Sequence, residues 1–569
     1  MKALLFIILF SLGLSAFSQE GKKVQFVGGA RSLISQSDFT SDVSDTVTAP
    51  KTTGGYALID LGFKINPNEN TEVLGMIRIN NQFGGFYGAG VTFDVRQIHV
   101  KGVAGKVLRY QIGNIDYKLT PYTFYNHNPD LLVQSLGINK IKEEVLNYES
   151  FYKNNNWRQQ GAAADFAIQF PKIIQELKFN GFITRLNPSA PGTVTPGSGL
   201  LERLYGGGNV IMKQSKYLTI GVNHVRIFDL LQTANNDNAY RNVVNSISYD
   251  LNKDGKKIKL SLDGESGMSK SFSTQNAEGG LSDFFIHVKG QVSFKKCGLK
   301  LKMAYMENGA DFRSFGAQSK RMDFNQVNSF YDRYTNSQIL RPLSYYDLYN
   351  DPSLYSSSFS TKIMSFNPSI NNVLPYGIAT FNRQGFYAGF NYSDPKKIIA
   401  ADVTFYRLGE IRGQGTTQLR SFSYLTSTVS FNLSNWMHWK KKQVFQLGLA
   451  YQKTERSSQF TFEQINLKSL TASLGLELEI CPDLYLLGSA FLFTSKGNES
   501  MPVRTPEGTI INFNEYLVDG KEINLSSGIK FNFSKEVYVA AVYESNKNNF
   551  SAENPYKYNQ ILLYYIMKF

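Results

Sequence analysis

Cysteine is almost absent from this chain: Cys297 and Cys481 are the only two in 569 residues. Both stand in turn-like contexts, Lys295-Lys296-Cys297-Gly298 and Cys481-Pro482-Asp483, several strands apart, so no disulfide framework is expected. Histidine is equally sparse. His99, His127, His224, His287 and His438 are scattered without metal-ligand spacing, which excludes a local His/Cys metal motif. The nucleophile-elbow pattern is missing, and Gly264-Glu265-Ser266-Gly267 lacks its spacing. Phosphate-cradling and dinucleotide-binding loops are missing too. The one loose grouping, His287 with Asp263 and Ser261, reads better as ordinary polarity on one strand face. The expectation is no enzyme, no catalytic residue, no metal and no cofactor.

Long apolar runs are also lacking. The longest, Ala3 to Leu14, falls short of the ~20 residues a spanning helix needs. It follows a positive start, Met1-Lys2, and precedes Ala16-Phe17-Ser18, a small-x-small site. That order predicts a cleaved signal peptide over residues 1–18, with Gln19 opening the mature chain. No cysteine follows the apolar run, so a lipid anchor is not expected. No Pro/Ser/Gly-rich hinge and no long charge run divides the rest, and residues 19–569 read as one domain.

What is present is alternation. Hydrophobic residues make up 42% and aromatics 14%, yet mean hydropathy is −0.26. Ile523, Leu525, Ser527, Ile529, Phe531 and Phe533 alternate with Asn524, Ser526, Gly528, Lys530 and Asn532. Phe284, Ile286, Val288, Val292 and Phe294 alternate with His287, Lys289, Gln291 and Ser293. Leu470 to Ile480 and Ile258 to Leu262 repeat the pattern. Period two over such lengths predicts strands with one apolar face. Strands of ~10–14 residues are longer than soluble sandwiches favour and match a tilted crossing of a lipid layer. In lipid only helices and closed sheets satisfy every peptide group.

Connections alternate in length. Short turns fall at Asn66–Asn70, Lys253–Lys257, Lys295–Gly298, Asp394–Lys397, Trp436–Lys442 and Ser534–Glu536. Longer polar stretches fall between them, among them 31–53, 115–158, 308–375, 454–466 and 495–520. The fold class predicted is an all-β, transmembrane, antiparallel up-and-down β-barrel of about 22 strands, within roughly 18 to 24. Short turns then face the periplasm and long loops the exterior, and an even strand count leaves both termini on the periplasmic side.

The last residues give the most specific signal. Ile561, Leu563, Tyr565, Met567 and Phe569 alternate to the final position. They resemble the C-terminal signal of outer-membrane proteins, which the barrel assembly machinery reads; Phe569, Met567 and Tyr565 are its expected carriers.

Net charge is +14, and the short turns hold much of it, including Lys253, Lys256, Lys257, Lys295, Lys296 and Lys440 to Lys442. Such a ring suits lysines meeting outer-membrane lipid headgroups. It also suits docking of an acidic periplasmic or outer-membrane protein partner. Trp436 and Trp439 flank one turn, as an interfacial girdle requires. The aromatics are not grouped beside the lysines, so no nucleic acid is expected.

A barrel this wide needs something in its lumen. TonB-dependent transporters resemble it in size but carry a plug domain before the first strand, whereas Val24 to Gly29 already reads as a strand. Two long loops, 115–158 and 308–375, are expected to fold over or into the lumen. The first contains a predicted helix from Ile138 to Tyr152, with Ile138, Ile141, Val145, Tyr148 and Tyr152 on one stripe. The second supplies Arg321, Arg333, Arg341, Tyr345, Tyr346 and Tyr349 as candidate constriction residues. Lys259, Lys289, Lys302 and Lys530 are candidate lumen cations from the wall.

Val95-Arg96-Gln97-Ile98-His99-Val100-Lys101, followed by Tyr110-Gln111-Ile112-Gly113-Asn114, looks like a hairpin of large porin-like barrels. With Gln19 and the Asn/Lys/Tyr-rich composition, the chain resembles porin-like outer-membrane β-barrel proteins of Bacteroidota. The resemblance implies fold and location in the cell outer membrane; that group lends no agreed substrate and no catalytic residue. The function expected is a channel for passive or partner-gated passage of small polar solutes. The alternative is a non-conducting scaffold subunit of a secretion, assembly or motility complex.

Overall fold

Period-two alternation produces twenty-two strands in the computed structural model, which describes residues 24–41, 51–83, 90–127, 136–152, 154–187, 202–230, 240–273, 280–322, 354–355, 359, 363–504, 509–549 and 555–569. The first eight are β1 Val24–Ser41, β2 Lys51–Asn68, β3 Thr71–Gln82, β4 Val91–Ala104, β5 Leu108–Tyr117, β6 Trp157–Gln169, β7 Glu176–Asn187 and β8 Glu202–Lys213. Next come β9 Leu218–Leu230, β10 Tyr240–Asp254, β11 Ile258–Ser273, β12 Ser282–Phe294, β13 Leu299–Asn308, β14 Arg383–Ser393 and β15 Ile399–Gly409. The last are β16 Ser421–Asn432, β17 Gln443–Arg456, β18 Ile465–Cys481, β19 Leu484–Arg504, β20 Ile510–Asn532, β21 Val537–Asn548 and β22 Tyr556–Lys568.

Each strand pairs antiparallel with the next, and β22 returns to β1, closing the sheet into a barrel. The closing register runs from Gly29 opposite Lys568 to Ser41 opposite Tyr556. Its end is fastened by two backbone bonds, Gly28 N–H to the Phe569 carbonyl at 2.9 Å and Phe569 N–H to the Gly28 carbonyl at 3.1 Å. Glycine is required at 28 by close approach. A Cβ there would fall 2.0 Å from the Asp60 carbonyl oxygen.

The two faces separate as the alternation dictates. Ile523, Leu525, Ile529 and Phe531 point outward, with Leu525 and Ile529 more than half exposed, while Glu522, Asn524 and Ser526 are buried inside. The outward apolar residues form a belt around the barrel far larger than a water-soluble surface tolerates. A barrel wall seated in a bilayer requires such a belt, with aromatics at its edges. Trp436 and Trp439 stand exposed at the short-turn rim, beside a short helical turn at Leu433–Met437. Cys297 and Cys481 are exposed free thiols.

Two expected loops are largely strand instead. Residues 31–53 read as a polar connection, but β1 runs to Ser41 and β2 starts at Lys51, because Arg31 and its polar neighbours take inward positions on a paired strand. Residues 495–520 read as a long polar connection, but β19 runs to Arg504 and β20 starts at Ile510. Here both faces carry polar residues, so alternation fades although pairing persists as far as Arg504 opposite Ile510. The hairpin projects past the apolar belt, where its outward face no longer has to be apolar.

Inside, α1 (Ile138–Glu149) lies against the wall. It stops three residues before the predicted Tyr152, at Ser150, after which Phe151 turns to a positive φ of 53°. Two further inserted segments carry the short helices α2 (Phe315–Gln318) and α3 (Pro368–Asn371).

Candidate functional site: the filled lumen

The inner wall is polar except where an inserted segment covers it. Opposite α1 the wall turns apolar: Leu33, Leu487, Tyr538, Ala540, Val542, Leu562, Tyr564 and Ile566 pack with Ile138, Ile141 and Val145. Burying each of the three helix side chains contributes ~1.5–3 kcal/mol, enough to seat a 12-residue helix that is marginal alone.

Polar contacts fix the register of α1 at three heights. Gly137 precedes it at φ +58°, so close to β18 that a Cβ would lie 2.8 Å from the Leu476 carbonyl oxygen. The Asn139 amide donates to Ser489 Oγ at 3.0 Å. At mid-helix Lys142 pairs with Glu544 of β21, both fully enclosed. Burial pulls the Lys142 ammonium below its ordinary pKa, and Glu544 works against that pull.

The last turn is held by an ion cluster. Glu149 accepts from Arg31 at 2.6 Å and from Arg78 at 2.5 Å, with Arg96 at 3.7 Å. Arg78 also donates through Nε and Nη2 to both oxygens of the wholly buried Asp60, each at 2.8 Å. Tyr148 donates its hydroxyl to Asp60. Arg96 donates to the Tyr148 carbonyl at 2.6 Å and lies 4.1 Å over its ring. Burial alone raises a carboxyl pKa, but Arg31, Arg78 and Arg96 outweigh it and hold Glu149 at about 2. They also offset the unfavourable placing of an anion at a helix C-terminus.

The other inserted segments fill the long-loop half. Tyr122 stacks on Phe285 at 4.1 Å and Phe124 on Phe182 at 5.0 Å. The Trp157 indole N–H donates to the Gly316 carbonyl at 3.3 Å, and the Tyr205 hydroxyl donates to the Thr123 carbonyl at 3.1 Å. The segment bearing α3 is clamped by Arg383, which donates to the carbonyls of Val373 and Asn372 and lies 3.7 Å over Phe422. Next to it Arg420 bridges Glu410 at 2.8 Å and Glu499 at 3.1 Å.

The short-turn half stays open in places. A polar cavity of 560 Å³ is lined by Glu72, Lys101, Arg109, Gln111, Tyr117 and Asp165 among others. Its charges are paired across strands, Glu72 with Lys101 at 2.8 Å and Arg109 with Asp165.

The residues singled out from the sequence fall into separate places. Lys259, Lys289, Lys302 and Lys530 take inward register positions in the short-turn half. Lys289 pairs with Asp263 at 3.1 Å, Lys302 lies over Gly389, and Lys530 sits 4.2 Å over the Tyr538 ring. Arg321 is fully buried among the inserted segments: it donates to Asn147 at 2.8 Å and Ser150 at 3.2 Å and lies over Tyr152 and Tyr355. Burial draws its guanidinium down to about 10. Arg333, Arg341, Tyr345, Tyr346 and Tyr349 lie outside the described residues. Tyr565, Met567 and Phe569 belong to the outward row of the closing strand. His287 bonds Tyr387 at 2.9 Å while Asp263 is engaged by Lys289, so these side chains form no relay. Among the described residues no three His, Cys, Asp or Glu side chains group to hold a metal.

No protein-family model matches this chain, and no curated protein matches it. Solved structures similar to it include OpdQ of Pseudomonas aeruginosa, at 12% identity and a TM-score of 0.33, covering 96% of this chain and 98% of that one. A BenF-like porin from Pseudomonas fluorescens Pf-5 has 10% identity and a TM-score of 0.34, with 96% and 99% covered. The copper transporter OprC has 10% identity and a TM-score of 0.47, with 97% and 82% covered.

Proposed function

We propose that this chain is an outer-membrane channel for small polar solutes, narrowed by its own inserted segments. The observation that carries the reading is the division of the lumen. Charged and amide side chains line a 560 Å³ cavity on the short-turn side, and packed segments close down the long-loop side. An aqueous, ionically lined vestibule against a restricting plug is what selective passage of polar solutes needs, and it is of no use to a purely apolar cargo. In this reading residues 1–18 are removed on export, and Phe569, Met567 and Tyr565 address the chain to the assembly machinery.

A second reading is supported by the clamps. Two buried ion clusters and the Lys142–Glu544 pair fasten the inserted segments, as a non-conducting scaffold subunit would require. Planar-bilayer recording of the purified barrel separates the two. Stable stepwise currents that shrink in the presence of a permeating sugar or amino acid support the channel. A silent barrel, together with periplasmic proteins that co-purify through the basic turns, replaces the channel with the scaffold.

A further inference from the structure

The long-loop rim carries a charge pattern that barrel closure does not explain. On the outward face of β17, β18 and β19, Lys453 stands directly opposite Lys468, and Lys468 directly opposite Lys496. Like charges at opposed positions on one face destabilise a sheet. Two carboxylates offset part of this: Glu455 pairs with Lys453, and Asp519, opposite Lys496 on β20, lies 2.8 Å from it. The central Lys468 has no carboxylate partner among the described residues. Neither has Lys521, one outward step nearer the apolar belt and opposite Thr494.

The row marks a boundary in depth. Below Lys468 the outward side of β18 is Leu470, Ala472, Leu474, Leu476, Leu478 and Ile480, the belt itself. Beside the lysines, toward the belt, lies an exterior depression of 530 Å³, lined by Tyr451, Lys468, Leu470, Thr494, Lys496 and Lys521 among others, with the single carboxylate Asp519, already paired with Lys496. Lys468 and Lys496 thus stand at its upper edge, and Tyr451, Leu470 and Lys521 at its lower one. Lipid headgroups occupy that depth, just beyond the hydrocarbon layer.

We propose that this depression seats the phosphorylated headgroup of a lipid in the outer leaflet. Lys468, Lys496 and Lys521 surround the phosphate, and Tyr451 and Leu470 meet the start of the acyl chain. The anion relieves the repulsion within the lysine row, so bound lipid becomes part of what stabilises this arc of the wall. A soluble phosphate supplies the same charge but leaves the apolar edge unused, and the continuity of that edge with the belt favours the lipid. The inference rests on the outer-membrane reading above.

The test compares the full chain with Lys468→Gln/Lys496→Gln, both purified folded in mild detergent, folding being read by heat-modifiable gel mobility. Native mass spectrometry measures retention of phosphatidic acid against phosphatidylcholine. The wild-type barrel is expected to retain phosphatidic acid selectively, and the double variant to bind it roughly thirtyfold more weakly, at about 1 kcal/mol per surface lysine. Equal retention by the two proteins overturns the site. Displacement of phosphatidic acid by millimolar inorganic phosphate overturns the lipid assignment in favour of a soluble anion. Density-gradient fractionation of cells reads location separately, so a barrel absent from outer membranes refutes the membrane reading whatever the lipid assay gives.

Discussion

Glu149 and Arg78 are 71 residues apart in sequence and meet at 2.5 Å, joining the end of the lumen helix to the third strand of the wall. Because Arg78 also grips Asp60 with two bonds, removing Glu149 leaves an arginine-rich, partly enclosed site short of one anion. Glu149→Ala is expected to weaken seating of the helix C-terminus by about 2 kcal/mol, below the full cost of breaking a wholly buried pair. Hydrogen exchange of the α1 amides is then about thirtyfold faster while the strand amides are unchanged. Unaltered exchange in α1 rules out the clamp.

The same carboxylate sets a pH limit. Its folded pKa of about 2 lies below the ordinary 4.5, so its stabilisation is fully present above about pH 4.5. It is lost as pH falls from there through 2. Limited proteolysis of the loop around α1 should be slow and constant from pH 7 to 5 and should accelerate between about 4 and 2. Glu149→Gln is expected to be labile already at pH 7.

Lys142 and Glu544 make a different kind of pair, enclosed on all sides. Lys142→Met strands a carboxylate in the interior and is expected to cost about 3–4 kcal/mol. Lys142→Met/Glu544→Leu should recover most of that, since no lone charge is then left enclosed. Thermal unfolding of the four proteins closes a double-mutant cycle. Additive effects would falsify the pairing.

Gly28→Val places a side chain where no room exists, against the Asp60 carbonyl. Strand pairing at the seam should fail locally, giving a barrel that no longer shifts mobility on heating in gels. Gly54→Val serves as the control, since its nearest neighbour, Ser35 Oγ, lies at 3.5 Å, an ordinary contact.

Period two made the wall readable residue by residue: Lys289, Lys302 and Lys530 take inward positions because their outward neighbours are apolar. It could not reveal the clamp. Arg31, Asp60, Arg96 and Glu149 come from four separate elements, and each alone is one more polar residue at a lumen position. Alternation also blurs on the last strand, where Ile561 to Met567 is nearly all apolar. There the outward row meets lipid and the inward Leu562, Tyr564 and Ile566 meet α1, so both faces need apolar side chains for different reasons. The reach of β19 and β20 beyond the belt was hidden likewise, because water on both faces removes the constraint that writes the pattern.

The pairing of β1 with β22 gives folding a deadline. The two strands that complete the cylinder are the most distant in the chain, and the entropy of bringing such distant segments together makes non-local pairing slow. Until Tyr556–Lys568 meets Gly29–Ser41, every intermediate is a curled sheet with two raw edges. Those edges invite pairing with another copy, and closure of the seam is what removes them.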